Sequence, residues 1–164
     1  MARRVYFAFD YEDVKDFRAN VVRMSWVTQP DREAAGFWDA ADWEKVKNQG
    51  DDAIKRWINR QMEGTSVTAV LIGTGTSERK WVNYEIIKSY EDGKGLLGVY
   101  IYNILDKYGY KAIKGGNPFN NVYIEPGGKR EYFSTIYPTY DWVTDDGYKN
   151  FGDWIEDAAR KARR

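Results

Sequence analysis

The chain has 164 residues, 43% of them hydrophobic and 16% aromatic, enough for one domain to bury a core without disulfides or metals. Lys plus Arg and Asp plus Glu are each 25, so the formal charge is zero and no general field favours a long polyanion such as nucleic acid. Cys and His are both absent, which removes thiol nucleophiles, Ser-His-Asp triads and the cysteine and histidine metal sites; any chemistry falls to carboxylates, hydroxyls, amides, Lys or Arg.

The opening MARRVYFAFDYED has no apolar core of a signal peptide before its first acids. No apolar run approaches the ~20 residues that span a bilayer. The expectation is a cytoplasmic protein with neither a membrane nor a nucleic-acid partner.

Arg4 to Phe9 (RVYFAF) is a short, nearly continuous apolar run, the pattern of a strand buried on both faces of a parallel sheet. It is predicted to be the central first strand. After the acidic segment Asp10-Tyr11-Glu12-Asp13, the spacing of Val14, Phe17, Val21 and Met24 predicts a helix. Ser25 to Gly50 is irregular, with Pro30 and the clusters Phe37-Trp38-Asp39 and Asp42-Trp43. A long loop is expected there, with a very short strand near Phe37 and a helical turn near Trp43.

Asp51 is placed to cap a helix whose inner face holds Ile54, Trp57, Ile58, Gln61 and Met62, with Gly64 ending it. Val67 to Ile72 (VTAVLI) reads as a second buried strand, Gly73-Thr74-Gly75-Thr76 as its turn, and Ser77 as the cap of a helix running to about Tyr90. Leu96 to Tyr102 is a third buried strand. Asn103 to Thr135, with Gly115, Gly116, Asn117, Pro118, Gly127 and Gly128, has turn chemistry and no regular period, so an excursion loop is expected. Thr139 to Val143 is a candidate last strand, and Tyr148, Phe151, Trp154, Ile155 and Ala158 form the face of a closing helix with a basic end.

Strands alternating with helices imply an α/β fold, a three-layer doubly wound parallel sheet with the ligand outside the carboxyl ends of the strands. Three loops should meet at that edge: Phe9 to Asp13, Gly73 to Ser77, and Asn103 onward. The acids Asp10, Glu12 and Asp13 are similar to the metal corner of phosphate-accepting receiver domains. A receiver needs an acceptor Asp where this chain has Gly73-Thr74-Gly75, so that reading fails. A flavodoxin would place its hydroxyl-rich loop after the first strand, and no G-x-G-x-x-G is present.

Ser77, Trp81 and Glu85 are spaced by four, which stacks Trp and Glu on one helical face while Val82, Ile86 and Tyr90 suffice for packing on another. Glu85 is then free to face a cleft. On spacing alone, a helical Glu also reads as solvent-exposed, and each Trp also reads as core.

The run Ser-x-x-x-Trp-x-x-x-Glu at Ser77, Trp81 and Glu85, after the strand Val67 to Ile72, resembles TIR domains, whose NAD-consuming members use a Glu in this helix as the catalytic residue. The resemblance extends to the TIR-like component of Thoeris anti-phage systems. It covers VYFAFDYEDVKDFRANVVR, WVTQPDREAAGFWDAADWEKVK, SVTAVLIGTGTSERKWVNYEIIKS and YDWVTDDGYKNF, while Asn103 to Tyr137 is shorter than in that family.

This resemblance implies a single TIR-like domain over 1–164, of flavodoxin-like fold, with Glu85 catalytic and Phe9, Asp10, Trp38, Asp39, Trp43, Ser77 and Trp81 shaping the substrate pocket. NAD is then the substrate, with no cofactor and no metal. The product is a cyclic ADP-ribose isomer that reaches a separate effector by diffusion, and activity waits on a phage-derived trigger or on self-assembly into a homo-oligomer. The rival from another class is a non-catalytic adaptor that acts through protein contacts.

Overall fold

The computed structural model describes residues 3–10, 17–37 and 40–164. Tyr11, Glu12 and Asp13 of the first loop, Val14 of the expected helix, and the expected pocket residues Trp38 and Asp39 lie outside them.

The apolar runs become the sheet. β1 (Arg3–Ala8) and β3 (Val67–Ile72) lie side by side and parallel, Tyr6 opposite Thr68 and Ala8 opposite Val70. β2 (Arg32–Ala35) flanks β1, while β4 (Gly95–Tyr100) flanks β3. Every residue of β3 is buried, as expected of a strand covered on both faces. β2 falls just before the strand expected near Phe37, because Gly36, at φ 93°, turns the chain out of the sheet.

Helices cover both faces. On one face α1 (Phe17–Val27) packs beside α6 (Gly147–Lys161). On the other, α3 (Asp51–Met62) and α4 (Lys80–Glu91) run side by side, tied by the Tyr84 hydroxyl donating to Asn59 at 2.7 Å. α2 (Ala40–Lys47) replaces the single turn expected near Trp43 and packs on α3.

The inner stripe of α3 is Ile54, Ile58 and Met62, four residues apart, as its periodicity requires. It starts after Gly50 with no side-chain cap, so Asp51 is not the cap expected of it. α1 is rotated from the expected face: Ala19, Val22 and Trp26 are buried, whereas Phe17 and Met24 are exposed. Trp26 decides the rotation. Its indole N–H donates to the Glu33 carbonyl at 2.8 Å and its ring meets Phe151 edge-on, a larger apolar gain than either Phe17 or Met24 would bring.

The excursion after β4 has more structure than expected. Asp106 accepts from the backbone N–H groups of Tyr110 and Tyr108, which hold its carboxyl below the usual carboxylate range. A 3-10 turn at Pro118–Asn121 buries Phe119, and a small antiparallel hairpin of β5 (Tyr123–Ile124) and β6 (Glu131–Tyr132) leads into the short α5 (Phe133–Ile136). β7 (Thr139–Asp141) then joins the sheet beside β4. α6 buries Phe151, Ile155 and Ala158 as expected, while Tyr148 points to solvent.

The five-stranded sheet is all parallel, in the order β2-β1-β3-β4-β7, the doubly wound flavodoxin-like order. The chain first moves outward from β1 to β2 and then returns across it to β3. The two crossovers therefore part between β1 and β3, leaving a crevice at their carboxyl ends.

Candidate active site

A cleft of about 360 Å³ opens at that point, where this topology places ligands. Phe9 and Asp10 enter it from the end of β1, and Glu78 to Val82 enter from the turn after β3 and the start of α4. Trp43 of α2 and Ile54 of α3 close the third side. A second hollow, of about 230 Å³, lies at the opposite edge of the sheet between the start of β4 and α6, away from both loops.

The cleft joins apolar walls to a balanced set of charges. Phe9, Trp43 and Trp81 supply aromatic surface, Lys47, Arg79 and Lys80 supply cations, and Asp10, Asp51 and Glu78 supply anions. Asp10 is 3% exposed and is held by Arg79, whose Nε donates to its Oδ2 at 2.9 Å. Lys80 pairs with Asp51 and lies 4.8 Å from the centre of the Trp81 ring. The aromatic faces can stack a flat ring, and the charged groups of both signs can contact polar parts of a ligand.

Glu85 lies one helical turn beyond Trp81 and Val82, and it is 0% exposed. It does not line the open cleft as the spacing suggested; it sits under the floor, between α4 and the sheet. The Tyr6 hydroxyl, from the middle of β1, donates to its Oε2. One turn further along α4, the Ser89 hydroxyl donates to the Glu85 carbonyl at 2.7 Å and meets the Thr68 hydroxyl at 2.7 Å. A buried carboxylate on a packed helix is costly unless hydrogen-bonded, so its surroundings are polar where the rest of this interface is apolar.

The Gly-Thr turn is organised by Thr76. Its buried hydroxyl accepts from the Gly73 N–H at 2.8 Å, and α4 starts only after Arg79, with no side-chain cap. Ser77 is therefore not the helix cap expected from the sequence, nor does it line the 360 Å³ cleft. The excursion loop lies over it instead: Asn121 donates to the Ser77 carbonyl at 3.0 Å, and Thr74 donates to the Ile113 carbonyl at 2.6 Å. Gly115 makes this approach possible, since a Cβ there would sit 2.2 Å from the Gly73 carbonyl oxygen.

Of the residues expected at the site, the structure brings Phe9, Asp10, Trp43 and Trp81 to one cleft and sets Glu85 beneath it. Sequence reasoning missed Tyr6 and the cations Lys47, Arg79 and Lys80. Tyr6 looks like any residue of an apolar strand. The alternation of side chains puts it opposite Phe7, which meets Phe37 and Phe151, but only the placement of α4 shows that Glu85 is its neighbour.

Trp43 is 6% exposed, so it is core and wall at once. Trp43→Ala is expected to lower stability by about 3–5 kcal/mol and to weaken binding of whatever ligand the cleft takes, whereas Trp43→Phe restores most of the melting temperature. Thermal unfolding and KM for both variants check this, and a parental melting temperature for Trp43→Ala would show that the indole contributes no packing.

A model of the family described as Thoeris protein ThsB, TIR-like domain, matches residues 6–105. That segment contains the second half of β1, all of β2 to β4, both cleft loops and α4. The chain is also similar to a protein of Bacillus cereus (strain MSX-D12) provisionally named a cyclic ADP-D-ribose synthase, ThsB1. The two are 42% identical over 191 residues, covering 94% of this chain and 100% of the relative. That length exceeds the 164 residues of this chain, so the relative carries residues this chain lacks.

Proposed function

The chain belongs to the Thoeris ThsB TIR-like family, and from that premise we propose that it cleaves NAD, releasing nicotinamide and closing the ADP-ribose into a cyclic isomer. Glu85 is the catalytic carboxylate. The observation that carries this reading is the position of Glu85: a buried carboxylate one helical turn from Trp81 and Val82, which line an aromatic cleft of mixed charge at the switch point of the sheet.

Nicotinamide in NAD is a cationic pyridinium. When its bond to ribose breaks, the electron pair goes to the ring nitrogen and a neutral base departs, so no general acid is needed. Positive charge develops on the ribose in an oxocarbenium-like transition state, as in glycoside hydrolysis. A carboxylate facing that charge stabilises it more in the transition state than in the bound substrate. This is chemistry that a chain without His or Cys can perform.

The fate of the ribose cation depends on what reaches it first. Water gives free ADP-ribose. If Phe9, Trp43 and Trp81 exclude water, a nucleophile elsewhere in the same nucleotide attacks, loses its proton and closes a ring. Nothing is oxidised or reduced. Arg79, Lys80 and Lys47 are placed to meet the diphosphate that joins the two halves of the substrate. In the resting arrangement Glu85 lies below the cleft floor, so the reaction requires Trp81 or its neighbours to part, in keeping with an enzyme that stays silent until triggered.

No step calls for a Lewis acid, so turnover is expected to continue at an unchanged rate in EDTA. Loss of activity in the chelator, restored by one particular metal, would overturn this mechanism.

The reading is tested by mass spectrometry of nucleotides from cells expressing the chain, with and without phage challenge. Loss of NAD with a matching rise in nicotinamide and a cyclic ADP-ribose isomer is expected after challenge. NAD unchanged under both conditions, with protection from phage nonetheless intact, would replace the enzyme with an adaptor acting through protein contacts.

A further inference from the structure

We propose that Tyr6 is a positioning residue for the reaction: its hydroxyl fixes the orientation of the Glu85 carboxylate, without itself touching substrate. The inference rests on the reading of Glu85 as the catalytic group.

Both partners are held on rigid elements. Tyr6 is fully buried at the centre of β1, with its backbone paired to Ala35 on one side and Thr68 on the other. Its ring is confined by Gly36, where an added Cβ would stand 3.0 Å from it. Across the interface, the backbone of Glu85 is bridged to the sheet through Ser89 and Thr68. The Glu85 side chain is thus held by a donor on β1, Tyr6, and its main chain by one on α4, Ser89, which in turn meets Thr68 of β3.

A glutamate has three side-chain torsions, and a carboxylate free to turn would meet the ribose in many orientations. The Tyr6 hydroxyl selects one of them, because it turns Oε2 toward the sheet. A hydroxyl donating to an ionised carboxylate is among the stronger hydrogen bonds, and it strengthens further where water is excluded. Tyr6 cannot reach the cleft itself, since it is 0% exposed and does not line it. Supporting groups of this kind convert a residue that is present into one held at the productive geometry.

The test compares Tyr6→Phe with Thr68→Val in the full chain, under the condition that activates the parent. Tyr6→Phe keeps the ring and removes the donor. It is expected to lower kcat about 10- to 100-fold, the size of losing one hydrogen bond to a charged group, with KM within about twofold. Thr68→Val removes the neighbouring buried hydroxyl and leaves the carboxylate's donor in place. It is expected to lower the melting temperature while kcat stays within about twofold.

A parental kcat in Tyr6→Phe overturns the proposal. So does an equal loss of kcat in both variants, or a Tyr6→Phe that fails to fold when Thr68→Val folds, because the hydroxyl is then a structural support. Glu85→Gln, measured alongside, separates this failure from that of the underlying reading. If Glu85→Gln still cleaves NAD, the catalytic assignment is wrong; if it is inactive while Tyr6→Phe is parental, only the role of Tyr6 falls.

Discussion

Glu85→Gln is expected to fold with a melting temperature near the parent's and to lose about 10²–10³ in the rate of NAD consumption. The side chain keeps its size in a site that is fully buried, where any change of volume would be felt. The amide oxygen can still accept from the Tyr6 hydroxyl, which donates to Oε2 in the parent. What disappears is the negative charge opposing the cation that forms on the ribose. NAD loss by both proteins, after their melting temperatures have been matched, is the measurement. A folded Glu85→Gln that consumes NAD at the parental rate would remove the main support for the enzymatic reading.

Gly36→Ala is expected to lower the melting temperature by roughly 5–15 °C, adding a strained backbone conformation to a steric conflict. Gly36 has φ 93°, a region that side chains with a Cβ rarely adopt. The new methyl would lie 2.5 Å from the Phe7 carbonyl oxygen, which is backbone of the central strand, and against the Tyr6 ring. Neither neighbour can step aside without moving the strand that supports Glu85. Thermal unfolding decides the matter: a variant melting within about 2 °C of the parent would mean that the turn between β2 and α2 relaxes freely.

The fold was legible wherever the residues left one solution. Val67 to Ile72 is apolar at every position but one and is buried throughout, and the even spacing of Ile54, Ile58 and Met62 admits a single inner face. α1 went wrong because its residues allow two stripes, and the one containing Trp26 wins through contacts with Glu33 and Phe151 that are distant or invisible in a local window. Ser77 was mistaken for a cap because Ser and Thr are interchangeable there on paper. In the folded turn, the hydroxyl that reaches back to Gly73 is that of Thr76.

The site was half legible for a similar reason. Glu85 is singled out as a candidate by its spacing to Trp81 and by the resemblance that this spacing carries, whereas its depth cannot be read from the sequence. Whether a helical residue faces a cleft or the sheet depends on how α4 sits between α3 and β1. The cations were missed because Lys47, Arg79 and Lys80 come from separate segments and converge only when α2 is laid beside the start of α4.

On the proposed function, the depth of Glu85 also bears on the economy of the host cell. NAD is a shared metabolite, and an enzyme able to destroy it is a hazard at every moment before infection. With the carboxylate sealed below the cleft floor, background destruction equals the rate of an opened molecule multiplied by the fraction that is open. If opening costs ~4 kcal/mol, that fraction is about 0.1%, and the leak is three orders of magnitude below the armed rate. Any partner that favours the open form by the same amount raises that fraction to about one half, so in the proposed mechanism one buried side chain sets both the background rate and the size of the response.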